Sequence, residues 1–425
     1  MITPKFTTDR GYSNRLDRQD ELADFRQRFI IADPDLIYAD GNSLGRLPRQ
    51  TVERIRAAVD KQWGEDLIRG WNTGWYDAPT RIGDKIGVLI GAAPGQVIVS
   101  DSTSVNLYKL TMAALALRPD RTKIISDELN FPSDLYIMHG CIHQMGDRHR
   151  LHIVPSTDGV TTDTNLLYDA MDEDTALVSL SHVVFKSGFL FDAEAITKRA
   201  HDTGALVVWD LSHAVGAVPI ELDRWDVDFA VGCTYKYLNG GPGAPAFLYV
   251  KRDLQDQALS PIWGWFGQKS PFAFNPDYTP ADGIKRFLVG TPPILSLLAM
   301  GPAVEMVIEA GIDRIRRKSV QMTEYMIYLF DEILAPLDFS LGSPRESSRR
   351  GSHVSIRHQE GYRINRALIE EMKVLPDFRE PDNIRLGLSP LYTSFEDIWL
   401  MVDRIRQVVA EKRYLHYPEA RLPVT

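Results

Sequence analysis

The sequence predicts an α/β protein: a large domain on a mostly parallel sheet flanked by helices, and a smaller α+β domain beside it. Between residues 96 and 232, short apolar runs of strand length alternate with stretches of helical period. Most of these runs end in hydroxyl, acidic or amide residues, the side chains expected at the carboxyl edge of a parallel sheet. From Ile294 onward the texture changes to long helices and then a strand-bearing segment. The large domain is placed at 48–295, and the small one at 1–47 together with 296–425.

Composition narrows the field. At 425 residues, 44% hydrophobic and 25% charged, the chain can bury a large core. The 48 basic and 57 acidic residues leave a net charge of −9, which disfavours nucleic acid or an anionic membrane as partner. Two cysteines, Cys141 and Cys233, argue against a disulfide scaffold and for a reducing compartment. The polar N-terminus and the lack of any run of 18 apolar residues lead to the expectation of a cytoplasmic protein without a membrane span. No zinc spacing, Walker loop or nucleophile elbow is present, so no metal site is expected.

Taken in order, residues 15–30 carry Leu16, Leu22, Phe25 and Phe29 at amphipathic-helix spacing. The run IYADGNSLGRLP then makes an extended piece and a turn, where Gly41 and Gly45 let backbone pass close to a ligand. A plain loop before the next helix explains it equally well. Residues 49–69 read as that helix, followed by Trp71, Trp75 and Tyr76, which suit either an aromatic pocket or a surface anchor.

The strand at 96–99 delivers Asp101, Ser102, Thr103 and Ser104 to a helix start, where free amides and hydroxyls suit a phosphate or simply cap the helix. The strand at 123–126 leads to Asn130, Phe131, Pro132, Ser133 and Asp134, so Phe131 is placed either to stack on a ring or to pack in the core. Strands at 150–154 and 176–181 come next, the second ending at Ser181 beside His182, which reads as a structural histidine. A helix at 192–202 returns the chain to a Val-rich strand at 206–209 that ends in Asp210.

The last run, 228–232, leads into Thr234, Tyr235, Lys236 and Tyr237 and then a Gly-rich loop. A neutral amine condenses with an aldehyde, and a carboxylate at the end of another strand can keep a pyridine nitrogen protonated. Asp210 and Lys236 therefore form the pair that pyridoxal phosphate requires. Taken singly, a strand-end Asp is commonly a turn residue and a Lys before such a loop is commonly solvated. Ser104, Phe131, Ser181, Asp210 and Lys236 nevertheless all fall on one predicted sheet edge.

The wording around these residues, WDLSHAVGAVPIEL and CTYKYLNGGPGAPAF, closely resembles the kynureninases. So do DGNSLG at 40–45, NFPSD at 130–134, GWFG at 264–267, RGSHVS at 350–355 and SPLYTSF at 389–395, in family order over nearly the whole chain. The resemblance implies a fold type I pyridoxal phosphate enzyme that cleaves kynurenine, and 3-hydroxykynurenine, to the anthranilate and alanine, within tryptophan breakdown or NAD synthesis. It implies Lys236, Asp210 and Tyr235 as catalytic residues. Thr103, Ser104, Phe131, Ser133, Asp134, Ser181 and His213 join them around the cofactor, and Trp265 and Thr291 are expected to reach the phosphate from the neighbouring subunit of a homodimer. Arg385, Asn42 and Ser43 are implied for the substrate, with the Arg385 fork on its carboxylate. Many relatives have His after GWFG where this chain has Gln268, which cannot carry a proton. An aminotransferase or cysteine desulfurase of the same fold is the competing enzyme reading, and a non-catalytic pyridoxal phosphate sensor would need a DNA-binding module that the sequence lacks.

Overall fold

The computed structural model describes residues 6–420. The first part runs α1 (Arg10–Arg18), β1 (Ile37–Tyr38), α2 (Arg49–Ala57), α3 (Ala78–Leu89), β2 (Val97–Val99), α4 (Thr103–Leu117), β3 (Lys123–Asp127), α5 (Pro132–Gln144), β4 (Arg150–Val154), α6 (Thr164–Ala170), β5 (Thr175–Ser181), α7 (Ala193–Asp202), β6 (Leu206–Asp210), β7 (Phe229–Gly232) and β8 (Phe247–Val250). The rest runs α8 (Ile294–Ala310), α9 (Ile312–Leu329), β9 (Ser340–Leu341), β10 (His353–Arg357), α10 (Gly361–Glu371), β11 (Val374–Leu375), β12 (Asp377–Arg379), β13 (Asn383–Gly387) and α11 (Phe395–Ala410).

Seven strands form one sheet in the order β2-β8-β7-β6-β5-β3-β4. From β4 to β7 every pairing is parallel, as the alternating pattern predicts. β8, which the sequence reading did not include, runs against both its neighbours, and the two reversals bring β2 back into the direction of β6 and β7. The carboxyl ends of β2, β3, β5, β6 and β7 therefore share one edge. Both faces of the sheet are covered. In β6, Leu206 and Val208 join the apolar cluster that includes Leu107 and Leu110 of α4, whereas Val207 and Trp209 join the one built with Ile196 of α7 and Val304 of α8. That period-2 split is why the strand reads as continuously apolar.

A second sheet, antiparallel in the order β12-β13-β10-β9, packs against α9, α10 and α11 around Met326, Ile356, Ile384 and Ile398. β1 pairs in parallel with β11, Ile37 opposite Val374 and Tyr38 opposite Leu375. The strap after β1 crosses to the large sheet, where Gly45 N–H donates to the Tyr235 carbonyl at 2.7 Å. Among the described residues no single helix is long and apolar enough to cross a membrane.

The helix expected at 15–30 divides: α1 stops at Arg18, and a 3₁₀ turn, Ala23–Arg28, comes after it. Asp20 intervenes, accepting Leu22 N–H at 2.9 Å and pairing at 2.6 Å with the buried Lys318 ammonium. The helix expected at 49–69 is α-helical only to Ala57, then widens into a π-helical stretch, Ala58–Asp66. Trp63 is exposed there, as are Leu67 and Ile68 in the 3₁₀ segment that follows, so no packed face holds the ladder in register, and Gly64 loosens it further.

Candidate active site

The strand ends surround a cavity of about 570 Å³. β2 leads into Ser100, Asp101 adopts a left-handed φ of +48°, and Ser102 caps α4, accepting Val105 N–H at 3.4 Å. Thr103 and Ser104 then face the cavity at the head of a 15-residue helix whose first amides have no partner within the helix. Ser133 does not line the cavity but lies 3.1 Å, hydroxyl to hydroxyl, from Ser104. Ser181 is likewise set behind the wall: its hydroxyl donates to Asn130 Oδ1 at 2.7 Å, and the same oxygen accepts Phe131 N–H at 2.8 Å. Ser181 thus fixes the turn that presents Phe131.

Lys236 and Asp210 both reach the cavity. Lys236 Nζ lies 2.8 Å from His213 Nε2 and 6.0 Å from the ring centroids of both Phe131 and Tyr235. His213 is held well below its ordinary value by burial and by the Lys236 charge, so its neutral ring accepts from the lysine. Asp210 is buried and receives Ser212 N–H at 2.8 Å. Burial pushes its carboxyl up, while Lys236 and the Ser212 bond pull it back. Asp134 is also buried on the cavity wall, raised well above the usual carboxylate range by burial and then by the Asp210 charge. Two carboxyls share this end with one amine, so a cation between them would restore charge to at least one. Tyr235 lines the cavity, its phenol held above the ordinary value by Cys233 and by burial.

The opposite wall comes from the strap and the small sheet. Asn42 is fully buried, and neither end of its side-chain amide has a partner. Ser43 Oγ donates to Asp377 Oδ2 at 3.0 Å and accepts from Arg385 at 2.9 Å. Arg385 is where the sequence places it, but its fork already engages Asp377: Nε donates to Oδ1 at 2.7 Å, and one terminal nitrogen pairs with Oδ2. The other terminal nitrogen donates to the Phe185 carbonyl at 2.6 Å. Burial works against the Asp377 charge, yet the bonds and charge of Arg385 hold it below the usual range. Asp40, just before Asn42, is pushed up to about 7 by burial and by the Asp377 charge.

Sequence reading missed Phe185, Ser212, Asp377 and Arg379, and placed Asp101 at the helix start without giving it a role. Asp377 lies directly across the β12–β13 ladder from Arg385. Counting outward from the Pro381-Asp382-Asn383 turn would have paired them.

Trp265 and Thr291 do not line this cavity; both are exposed on the same chain. Trp71 and Tyr76 pack on Phe266 with ring centroids 5.6 and 5.7 Å away, apart from the cavity. Gln268 spends its amide on backbone, donating to the Asp277 carbonyl at 2.9 Å and accepting Lys269 and Thr279 N–H at 2.8 and 3.0 Å. It braces its own loop. His182 is buried between Trp209 and Trp225 and pushed down to about 4 by burial, a packing histidine.

An amine, a buried carboxylate and a hydroxyl-lined helix start on one edge can together hold a small ring bearing an aldehyde and an anion. Comparison with known proteins gives this arrangement a relative. A family model described as the kynureninase C-terminal domain matches residues 315–405. The kynureninase of Pseudomonas fluorescens is 42% identical over 412 residues, covering 96% of this chain and 97% of that protein. The kynureninase of Burkholderia pseudomallei (strain 1106a) is 41% identical over 399 residues, covering 93% and 94%. Among solved structures, a cysteine desulfurase from Thermococcus onnurineus NA1 superposes with a TM-score of 0.78 at 19% identity, covering 91% of this chain and 98% of that one. A C-DES variant with glycine covalently linked to its PLP cofactor gives 0.76 at 18% identity, covering 88% and 97%. At such identities these two structures speak for the fold alone. Two-fifths identity along nearly the full length of both chains goes further, and by it the chain belongs to the kynureninase family.

Proposed function

We propose that the protein hydrolyses the Cβ–Cγ bond of L-kynurenine, and of its 3-hydroxy derivative, releasing anthranilate or 3-hydroxyanthranilate and L-alanine, with pyridoxal phosphate as cofactor. The observation that carries this is the meeting of Lys236, Asp210 and the Ser102–Ser104 helix start in one cavity, in a chain so close to named kynureninases. The residues fit the cofactor: a buried acid for the ring nitrogen, an amine for the aldehyde, free amides and hydroxyls for the phosphate, and a His213 Nδ1 that has no partner. When bound, pyridoxal phosphate supplies an aldehyde that joins amines covalently and a ring that accepts electrons.

In this reading Thr103 and Ser104 hold the phosphate, with Tyr235 beside them, and Phe131 covers a ring face. Asp210 keeps the ring nitrogen protonated: burial alone pushes its carboxyl up, and a cation beside it draws it back to the charged form. Lys236 takes the proton from the substrate α-carbon and returns it, with His213 at 2.8 Å to accept its N–H. Asn42, whose amide is unpaired, and the edge of Arg385 that Asp377, Ser43 and the Phe185 carbonyl leave open receive the substrate carboxylate, with Ser43 beside them. Water adds at the γ-carbonyl; its oxygen leaves in anthranilate, and the Cβ fragment leaves as alanine. In this reading residues 48–295 are the cofactor-binding domain and 1–47 with 296–425 the smaller one, with Leu22, Phe25, Phe29 and Val304 reaching across to pack in the core of the larger.

The exposure of Trp265 and Thr291 supports a homodimer in which each copy completes the other's phosphate site. Two free, buried cysteines support a cytoplasmic setting. The desulfurase alternative lacks its nucleophile, since Cys141 is buried in α5 and pushed up to about 12, and Cys233 is buried as well. The test is to load purified protein with pyridoxal phosphate, add L-kynurenine, and track anthranilate fluorescence and alanine together. Equal release of the two is expected. No anthranilate, with keto-acid formation from an amino acid instead, overturns the assignment.

A further inference from the structure

The anion cradle has a carboxylate at its edge, which by itself would repel an anion. Asp101 lines the cavity beside Ser102, Thr103 and Ser104. It is not left uncompensated. Lys109, nearly two turns further along α4 and fully buried, reaches back to pair with Asp101 Oδ2. Ser100 Oγ donates to the same oxygen at 2.6 Å. The turn is fixed from two further sides, by Asn106 Nδ2 on the Ser100 carbonyl at 2.7 Å and by Ala246 N–H on the Asp101 carbonyl at 2.8 Å. The same ammonium donates to the Phe287 carbonyl at 2.8 Å. Phe287 ends the short 3₁₀ segment Gly283–Phe287, a few residues before Thr291. Burying an ammonium is unfavourable unless its charge is matched, and burial does hold Lys109 below its ordinary value against the pull of Asp101. An apolar side chain would pack there without that penalty, so what the lysine does for Asp101 is the reason for its presence.

We propose that Lys109 is a positioning residue for the cofactor: it neutralises Asp101 and holds the left-handed turn at the head of α4, so that the cradle meets a phosphate without an opposing charge. The inference rests on the pyridoxal phosphate reading above, and Lys109 acts only through Asp101, since it does not itself line the cavity.

The test uses the full-length protein freed of cofactor, with fold checked by circular dichroism. Pyridoxal phosphate is titrated by absorbance, and inorganic phosphate serves as a competing probe. Lys109→Met is expected to weaken cofactor binding about 10- to 100-fold, the range for losing one charged hydrogen bond. Asp101→Asn should bind at least as tightly as wild type, because Asn tolerates a left-handed backbone and removes the negative charge. The double variant should return to within a few-fold of wild type. Wild-type affinity in Lys109→Met, or a double variant as weak as Lys109→Met, overturns the proposal. If Lys109→Met does not fold, Asp101→Asn decides: tenfold weaker binding refutes neutralisation, and unchanged or tighter binding upholds it. These readouts use no kynurenine, so a protein that binds cofactor in this pattern but makes no anthranilate sinks the substrate assignment alone.

Discussion

Gly45→Ala should damage the lysine loop from a position about 190 residues away in sequence. A methyl at residue 45 would sit 2.4 Å from the Lys236 carbonyl oxygen, 2.3 Å from Asn239 Oδ1 and 2.7 Å from Asn239 Cα. Ordinary contact begins at 3.4 Å, so the shortfall against the Lys236 carbonyl is about 1 Å. The neighbours cannot easily yield. Two of the three atoms are backbone, and Gly45 N–H is itself tied to the Tyr235 carbonyl at 2.7 Å. Overpacking of this kind costs about 1–3 kcal/mol. A displacement of about 1 Å at the catalytic amine lowers turnover about 100-fold. Gly140→Ala serves as the control, because a methyl there meets nothing within 4 Å on α5 and should be neutral or mildly stabilising. The assays are anthranilate release and thermal melting with cofactor loaded. Gly45→Ala with the turnover and melting temperature of Gly140→Ala would refute the claim that the strap braces the lysine.

Lys236→Ala should remove both the near-visible absorbance of the bound cofactor and all anthranilate release, read by spectrum and fluorescence. Asp377→Asn weakens the clamp that holds Arg385, so KM for kynurenine should rise about tenfold or more while cofactor absorbance persists; an unchanged KM would remove Arg385 from the substrate grip. His201 lies 2.9 Å from Asp228, and that bond raises its pKa, outweighing burial, which lowers it. A folded value above the unfolded one, near 6.5, means the bond stabilises fully below about that pH and loses its contribution as pH climbs through the folded value. The melting gap between wild type and His201→Gln should therefore be widest at about pH 6 and close toward pH 9.

Legibility in the sequence depended on how local the cause was. Parallel strands deliver their carboxyl ends to one edge regardless of distant packing, so Phe131, Asp210 and Lys236 could be grouped from apolar runs and the residues just beyond each run, whereas Ser104 joins them only through the two reversals about β8. The other wall is set by tertiary approach. Phe185 lies just past a strand but reaches the cavity because the loop after β5 meets the small sheet, where its carbonyl takes Arg385. Asp377 and Arg379 sit on a three-residue strand too short to show a period. Helix breaks escaped notice for a related reason: Asp20 leaves the helical pattern for the sake of Lys318, nearly three hundred residues later. The role of Gln268 was also invisible, since its partners are backbone groups of a loop without periodicity.

The parallel pairing of Ile37–Tyr38 with Val374–Leu375 dictates an order of events during synthesis. A ribosome emits the strap early, yet its pairing partner emerges only when most of the chain has been made, long after the lysine has left the exit tunnel. The large sheet can assemble meanwhile, but the pocket stays open on one side until translation is almost finished. A prematurely terminated product would thus carry the reactive amine without its finished enclosure.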